Sequence, residues 1–121
     1  MEAILDTNFI ISCLKKKIDF LNKLKENGFR VLIPKEVIEE LKDLRLKSRG
    51  EDKIAINLAL ELIEKEKIEK TSLGKKTIDE GLIEKGLKGV FIATLDSAIR
   101  KKVPNRIIIS SAKKNIIIER E

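Results

Sequence analysis

Apolar residues recur along the chain with two spacings, which predict alternating strands and helices. Short apolar runs, of which residues 90–95 are the clearest, predict strands buried on both faces. Longer stretches with an apolar residue every three or four positions predict amphipathic helices. The predicted strands lie at residues 2–5, 30–33, 68–73, 90–95 and 106–110. The predicted helices lie at residues 9–28, as one helix or two short ones, and at 34–44, 51–66, 77–87 and 97–102, and a last apolar run at 116–118 is unassigned.

The order of these elements predicts the fold class. Strand–helix–strand units repeat along the chain, and such units form parallel sheets with right-handed crossovers. We therefore expect an α/β fold, a three-layer sandwich with a mostly parallel central sheet of about five strands flanked by helices. The chain has 121 residues, of which 42% are hydrophobic, enough for the core of one ordinary domain. Residues 1–121 are expected to form a single domain.

Two aspartates follow predicted strands. Asp6 comes directly after the first strand, and Asp96 comes directly after the fourth. In an open parallel sheet the carboxyl ends of the strands lie at one edge, where ligands bind, so the two carboxylates are candidates for one site. Aspartate at a strand-to-helix junction also caps helices, a contribution of about 1 kcal/mol. Taken alone, each residue is compatible with either role.

Two further acids are oriented by the helical period. Glu40 lies on the margin of the apolar stripe of its helix, from where its side chain can reach the edge of the core. Asp79 lies three positions before Leu82 on an apolar face, which predicts an inward-facing carboxylate. A carboxylate pressed into the interior requires a partner. That partner is a metal ion, a hydrogen-bond donor, or a cation such as Lys75 or Lys76.

Four carboxylates that converge repel each other unless a cation lies among them. Asp6, Glu40, Asp79 and Asp96 are therefore candidate metal ligands and catalytic residues. Oxygen ligands favour Mg²⁺ or Mn²⁺, whereas a chain without His and with a single Cys offers little to zinc. Such an ion activates water and neutralises the charge that builds up on a phosphate during displacement.

The formal net charge of +6 favours a polyanionic partner, because clustered Lys and Arg release counterions from phosphates. The basic blocks are interleaved with acids, however, and a solvated surface is an equally good explanation for each block. The candidate contacts to such a polyanion are Lys42, Arg45, Arg49, Arg100 and Lys101.

The sequence gives no indication of a membrane or of an oxidising compartment. No apolar run approaches the roughly 20 residues that span a bilayer, and the first residues include acids where a signal peptide is basic. The single cysteine, Cys13, has no partner for an internal disulfide. We expect a cytoplasmic protein without a membrane partner.

Four motifs together resemble the PIN domain family, and the resemblance runs from end to end of the chain. The motifs are Leu5-Asp6-Thr7-Asn8, Pro34-x-x-Val37-x-x-Glu40-Leu41, Ile78-Asp79-x-x-Leu82 and Ala93-Thr94-x-Asp96. The resemblance implies a metal-dependent endoribonuclease that leaves 5′-phosphate and 3′-hydroxyl ends, with the four acids around the metal. It also implies that Thr7, Asn8 and Thr94 orient the carboxylates or bound water.

The resemblance leaves the biological role open. Small stand-alone members include VapC-type toxins, which pair with antitoxins, and archaeal relatives of nucleases that process ribosomal RNA. Members commonly dimerise, so the implied partners are RNA, a second copy of the chain and, for a toxin, an antitoxin protein. Two positions depart from the family pattern: Leu95 stands where many members have a polar residue, and Glu80 replaces a second Asp beside Asp79.

Three other classes of protein are less consistent with the sequence than the nuclease. A PIN module that binds RNA or a protein without cleaving is the main alternative, and the presence of all four acids favours the nuclease. A dinucleotide-binding domain requires a glycine-rich motif after the first strand, which the sequence lacks. A receiver domain requires paired acids after the first strand and a phosphate-binding lysine, and neither has a clear counterpart.

Overall fold

The computed structural model describes residues 1–74 and 77–121, and strands and helices alternate along this part of the chain. The strands are β1 (Glu2–Leu5), β2 (Arg30–Pro34), β3 (Glu69–Thr71), β4 (Phe91–Ala93), β5 (Arg106–Ser110) and β6 (Asn115–Glu119). The helices are α1 (Thr7–Lys15), α2 (Phe20–Glu26), α3 (Lys35–Lys47), α4 (Gly50–Lys65), α5 (Ile78–Leu87) and α6 (Ser97–Arg100). The predicted ion-pair partners of Asp79, Lys75 and Lys76, lie outside the described residues.

The strands described form one sheet in the order β3-β2-β1-β4-β5-β6. Strands β1 to β5 pair with one another in parallel, and β6 is antiparallel to β5. The mostly parallel sheet is therefore confirmed, with one strand more than expected. The run at 116–118 becomes a strand because it pairs back onto β5, with Ile107 opposite Ile118 and Ile108 opposite Ile117. That pairing is a tertiary contact, which a short apolar run does not reveal by itself.

The sheet lies between two layers of helices, which confirms the three-layer sandwich. Alternate residues of a strand point to opposite faces. On β1, Ala3 and Leu5 join a buried cluster built with α1, α2, α3 and α4, whereas Ile4 joins a second cluster with Leu82 of α5 and Ile99 of α6. Because both faces are buried, the central strands read as continuous apolar runs.

The predicted stretch 9–28 forms two helices rather than one. Between α1 and α2, Lys17 adopts a left-handed backbone with φ 57°, a conformation that interrupts a right-handed helix. Asp19 then caps α2, since its carboxylate accepts a hydrogen bond from the Asn22 N–H at 3.3 Å. The break turns α2 back so that Phe20 and Leu24 reach the core.

The fourth strand ends earlier than the sequence predicts, and this early ending builds the site. Pairing of this strand with its neighbours ends at Ala93, whose carbonyl accepts the Asp6 N–H at 2.9 Å. Thr94 and Leu95 then leave the sheet, and Asp96 caps the start of α6. The third strand and α6 are likewise shorter than predicted. Among the described residues, no helix is long and apolar enough to cross a membrane.

Candidate active site

The candidate site lies where the connections of the sheet reverse direction. From β1 the chain returns to β2 on one side, and from β4 it returns to β5 on the other. Strands β1 and β4 are parallel neighbours with Leu5 opposite Ala93, so the residues that follow them emerge together at one edge. Ligands bind at such a switch point in open α/β sheets. Asp6 and Asp96 both lie there, as predicted from the sequence.

A buried threonine joins these two acids. The Thr94 hydroxyl donates to Oδ2 of Asp6 at 2.9 Å and accepts the Asp96 N–H at 3.1 Å. Thr94 is 0% exposed, so a hydroxyl in this position needs partners. Thr94 fixes the Asp6 carboxylate and the start of the Asp96 loop at the same time.

Both aspartates also act as helix caps. Oδ1 of Asp6 accepts the Thr7 N–H at 2.8 Å at the start of α1, and Oδ1 of Asp96 accepts the Ala98 N–H at 2.9 Å at the start of α6. Each carboxylate thus spends one oxygen on its own helix. For Asp6, the positive end of the α1 dipole adds favourable electrostatics. Capping, the alternative role that the sequence left open, is therefore present, and both carboxylates also line the cleft.

The two helical acids reach the same place from other elements. An open cleft of about 690 Å³ is lined by Asp6, Glu40, Asp79 and Asp96 together. Glu40 extends from α3 and is exposed, as expected for a residue on the margin of the apolar stripe. The structure thus gathers all four predicted acids around one space, from α3, from α5 and from the residues that follow β1 and β4.

The expected inward position of Asp79 is wrong. Its side chain is exposed and faces the cleft, while Leu82 occupies the core below α5 at 0% exposure. Asp79 is the second residue of α5, and it is exposed although Ile78 before it packs against both core clusters. The helical period indicates the side of α5 on which Asp79 lies, but it overestimates how deeply the Asp79 side chain is buried.

Burial and charge act together on Asp6. Desolvation raises the pKa of the Asp6 carboxyl above its ordinary value, and repulsion from Glu40 and Asp79 raises it further. Hydrogen bonds from the Thr94 hydroxyl and the Thr7 N–H oppose that rise, because they favour the ionised form. The three carboxylates are therefore close enough to destabilise one another when all are charged.

The side chains fit a hard divalent cation rather than zinc. Four carboxylates that repel each other supply only oxygen ligands, which suit Mg²⁺ or Mn²⁺, and Cys13 is buried in the core. Within residues 1–74 and 77–121, no three His, Cys, Asp or Glu side chains converge closely enough to hold a metal ion. The acids accordingly face one another across an open cleft and do not form a closed cage.

The other two supporting residues differ in their positions. Asn8 is exposed and lines the cleft near the acids. Thr7 is 1% exposed, and its hydroxyl has no hydrogen-bond partner within the described part of the chain. Only the backbone N–H of Thr7 touches Asp6. Asn8 is therefore the better placed of the two to contact a bound water or phosphate.

The cleft contains two lysines that were not among the predicted RNA contacts. Lys15 and Lys16 lie at the end of α1, and Nζ of Lys15 lies 2.8 Å from Oδ1 of Asp52 on α4. Both lysines belong to a basic run that is visible in the sequence. Their position opposite the acids follows only from the packing of α1 against α4, which the sequence does not specify.

The five predicted RNA contacts lie outside the residues that line this cleft. Arg45 borders a groove with residues of α4, and Arg100 and Lys101 border another beside Arg106 and Glu119. Lys42 lies 3.6 Å from the Glu39 carboxylate on the same helix. A substrate longer than the cleft could reach these side chains, so their role as RNA contacts stays a prediction, as it does for Arg49.

A doubly covered, mostly parallel sheet with carboxylates at its switch point defines a class of α/β proteins that bind their ligands at the carboxyl edge of the sheet. Within that class this chain belongs to the PIN family, since the family described as PIN-like domain matches residues 3–111. The match includes all four acids and Thr94. The resemblance drawn from the motifs is confirmed.

Two curated relatives are archaeal ribonucleases. The chain is 36% identical to ribonuclease VapC9 of Archaeoglobus fulgidus, over 86% of this chain and 76% of that protein. It is 34% identical to ribonuclease VapC4 of Methanocaldococcus jannaschii, over 81% of this chain and 79% of that protein. This relationship supports a nuclease function.

A solved structure shares the fold. The structure of the PIN domain endonuclease Utp24 superimposes with a TM-score of 0.76 at 23% identity, covering 99% of this chain and 92% of that chain. The likeness shows that the chain has the fold of a PIN domain.

Proposed function

We propose that this protein is a metal-dependent endoribonuclease that hydrolyses RNA phosphodiester bonds in the cleft lined by the four acids. The observation that carries the proposal is the position of Asp6, Glu40, Asp79 and Asp96 around one open cleft at the switch point of the sheet. The identity to two archaeal ribonucleases supports the choice of RNA as the substrate.

Each side chain has a distinct part in this proposal. Asp6, held by Thr94 and the Thr7 N–H, would be the ligand with a fixed orientation. Asp96, Glu40 and Asp79 are more exposed and would be the remaining ligands. These four residues would hold Mg²⁺ or Mn²⁺, which when bound activates water and neutralises charge on the phosphate. Asn8 and Lys16 line the cleft where they would orient the RNA backbone.

The test is cleavage of a panel of single-stranded and structured RNAs in Mg²⁺ or Mn²⁺. We expect the wild type to cut and to leave 5′-phosphate ends, and we expect Asp96→Asn and a chelator to stop cleavage. Asp43→Asn, which neutralises an exposed acid of α3 that is absent from the cleft lining, is the matched control and should cut normally. RNA that is bound but never cut, with metal present, would instead favour the binding module.

The proposed nuclease function leads to a proposal for the biological role. We propose that the protein works in the cytoplasm as a homodimer, either as a toxin held by an antitoxin protein or as a nuclease that processes structured RNA. Light scattering of the purified protein tests the dimer. Expression of the wild type and of Asp96→Asn in growing cells separates the two roles, because a toxin stops growth through its cleavage activity and a processing enzyme does not.

A further inference from the structure

Glu36 makes a long-range contact that its position in the sequence does not predict. Its carboxylate on α3 accepts the backbone N–H of Leu73, with both oxygens at 3.2 Å, across a separation of 37 residues. The Glu36 side chain is half-buried, unlike Glu39 and Asp43 on the same helix. A charged acceptor that is partly removed from water holds its donor more strongly than a neutral one does.

Leu73 in turn packs directly against α5. Its side chain is buried in the second core cluster with Leu82, and Gly81 is the residue that lets it approach. A Cβ placed on Gly81 would lie 2.6 Å from Cβ of Leu73, far closer than van der Waals contact. The backbone at Leu73 is therefore held by α3 while its side chain fixes the position of α5.

This contact connects two of the four acids. Asp79 lies two residues before Gly81, in the first turn of α5. Glu40 lies one helical turn after Glu36 on α3, and both Glu40 and Asp79 line the cleft. One helix thus carries one acid directly and, through Leu73, holds the helix that carries another.

We propose that Glu36 is a positioning residue that keeps Asp79 opposite Glu40 across the cleft. The proposal rests on the proposed nuclease function for its consequence but not for its geometry. Glu36 takes no part in the chemistry, since its carboxylate is committed to the Leu73 N–H. Removal of that carboxylate frees Leu73 and lets the first turn of α5 shift. A displaced acid weakens metal binding, because small displacements in a site carry large penalties.

The first part of the test measures hydrogen exchange of the Leu73 amide in metal-free protein by NMR. Loss of a hydrogen bond to a charged group predicts exchange at least about 10-fold faster in Glu36→Ala. Glu36→Gln keeps a carbonyl oxygen of the same reach, so it should restore much of the protection. Asp43→Ala removes an exposed carboxylate from the same helix and should exchange as the wild type does.

The second part follows Asp79. In Glu36→Ala the Asp79 amide signal should shift in the metal-free protein, and the Mn²⁺ concentration for half-maximal cleavage should rise about 10-fold, the usual effect of losing an outer residue of a metal site. The KM for RNA should stay the same, since Glu36 is absent from the cleft lining. A purely structural role would lower the melting temperature without changing the metal requirement.

Two results would overturn the proposal. In the first, Leu73 exchanges at the same rate in Glu36→Ala as in Asp43→Ala. In the second, Leu73 exchanges faster while the Asp79 signal stays unchanged. If the wild type neither binds Mn²⁺ nor cuts RNA, the proposed function fails, yet the two metal-free NMR readouts still decide whether Glu36 holds α5 in place.

Discussion

Thr94 donates a hydrogen bond from its hydroxyl to Oδ2 of Asp6 at 2.9 Å, between residues that are 88 positions apart in the chain. The bond crosses from the loop after β4 to the end of β1, the two central strands of the sheet. The same hydroxyl accepts the Asp96 N–H. One buried side chain therefore sets the distance between the two acids at the switch point.

Replacement of Thr94 tests this arrangement. Thr94→Val has a similar shape but cannot donate to Asp6, so we expect Mn²⁺ affinity and cleavage rate to fall about 10- to 100-fold, as for other partners of metal ligands. Thr94→Ser keeps the hydroxyl and should retain most of the activity. Calorimetry and cleavage rates measure the two effects. Equal activity of the Val and Ser variants would show that the hydrogen bond is unimportant.

The raised pKa of Asp6 has a consequence for stability. The folded protein holds the Asp6 proton more tightly than the unfolded chain does, so between the two pKa values the folded state binds more protons. Stability of the metal-free protein therefore decreases as pH rises from the ordinary aspartate value of 3.8 through the higher folded pKa. The contribution favours the folded state only below that window.

Urea titrations across this pH range measure the effect. The free energy of unfolding should decline with rising pH in the wild type, and the decline should be smaller in Asp6→Asn, which has no charge to desolvate. Saturating Mn²⁺ should reverse the trend for the wild type alone, because a ligand that binds only the folded state stabilises it. An identical pH profile for the wild type and Asp6→Asn would contradict the assignment of the shift to Asp6.

Lys16 should contribute to RNA binding more than the basic residues outside the cleft. It lines the same cleft as the acids, and its neighbour Lys15 is already paired with Asp52. For Lys16→Gln we expect a higher KM, little change in kcat, and a slope of log affinity against log salt that is smaller by about one charge. Lys25→Gln, an exposed lysine on α2, is the control.

The comparison of Lys16→Gln with Lys42→Gln and Arg100→Gln decides how far the RNA extends. Losses limited to Lys16→Gln would confine the contacts to the cleft. Losses in all three variants would confirm the contacts predicted from the sequence. A wild-type KM and salt slope for Lys16→Gln would show that Lys16 does not contribute to RNA binding.

Cys13 should be chemically silent in the folded protein. It is fully buried in the core, and burial raises the pKa of its thiol from 9.0 to about 12. A shift of this size leaves roughly a thousandfold fewer thiolates at neutral pH. A thiol reagent added at pH 8 should react rapidly in urea and very slowly without it. Fast reaction in the native protein would mean that α1 opens readily.

The elements were largely predictable, because the two apolar spacings identify both strands and helices. The order of the strands was not, although it determines that Asp6 and Asp96 meet. The sixth strand was missed since Ile116, Ile117 and Ile118 become a strand only by pairing with β5. Pairing is a property of the folded chain, and a run of three residues carries no period by which to recognise it.

The four acids could be predicted from the sequence. The side chains that support them could be predicted only in part. Thr94 was expected from the family motif, and its bond to Asp6 gives that expectation a geometry. Glu36 could not be singled out from the sequence, because its partner is a backbone N–H 37 residues away. Contacts of this kind depend on tertiary packing, which no local pattern records.

The most direct test of the account is the rate at which one RNA is cleaved by Asp6→Asn, Asp96→Asn and the double variant, with Asp43→Asn as the control. Residues that work as one site lose activity non-additively. We expect each single variant to lose more than about 100-fold, beyond the usual loss for an outer partner, and the double variant to be no slower than the slower single. Single variants near the wild-type rate, or losses that multiply in the double variant, would contradict a shared four-carboxylate site.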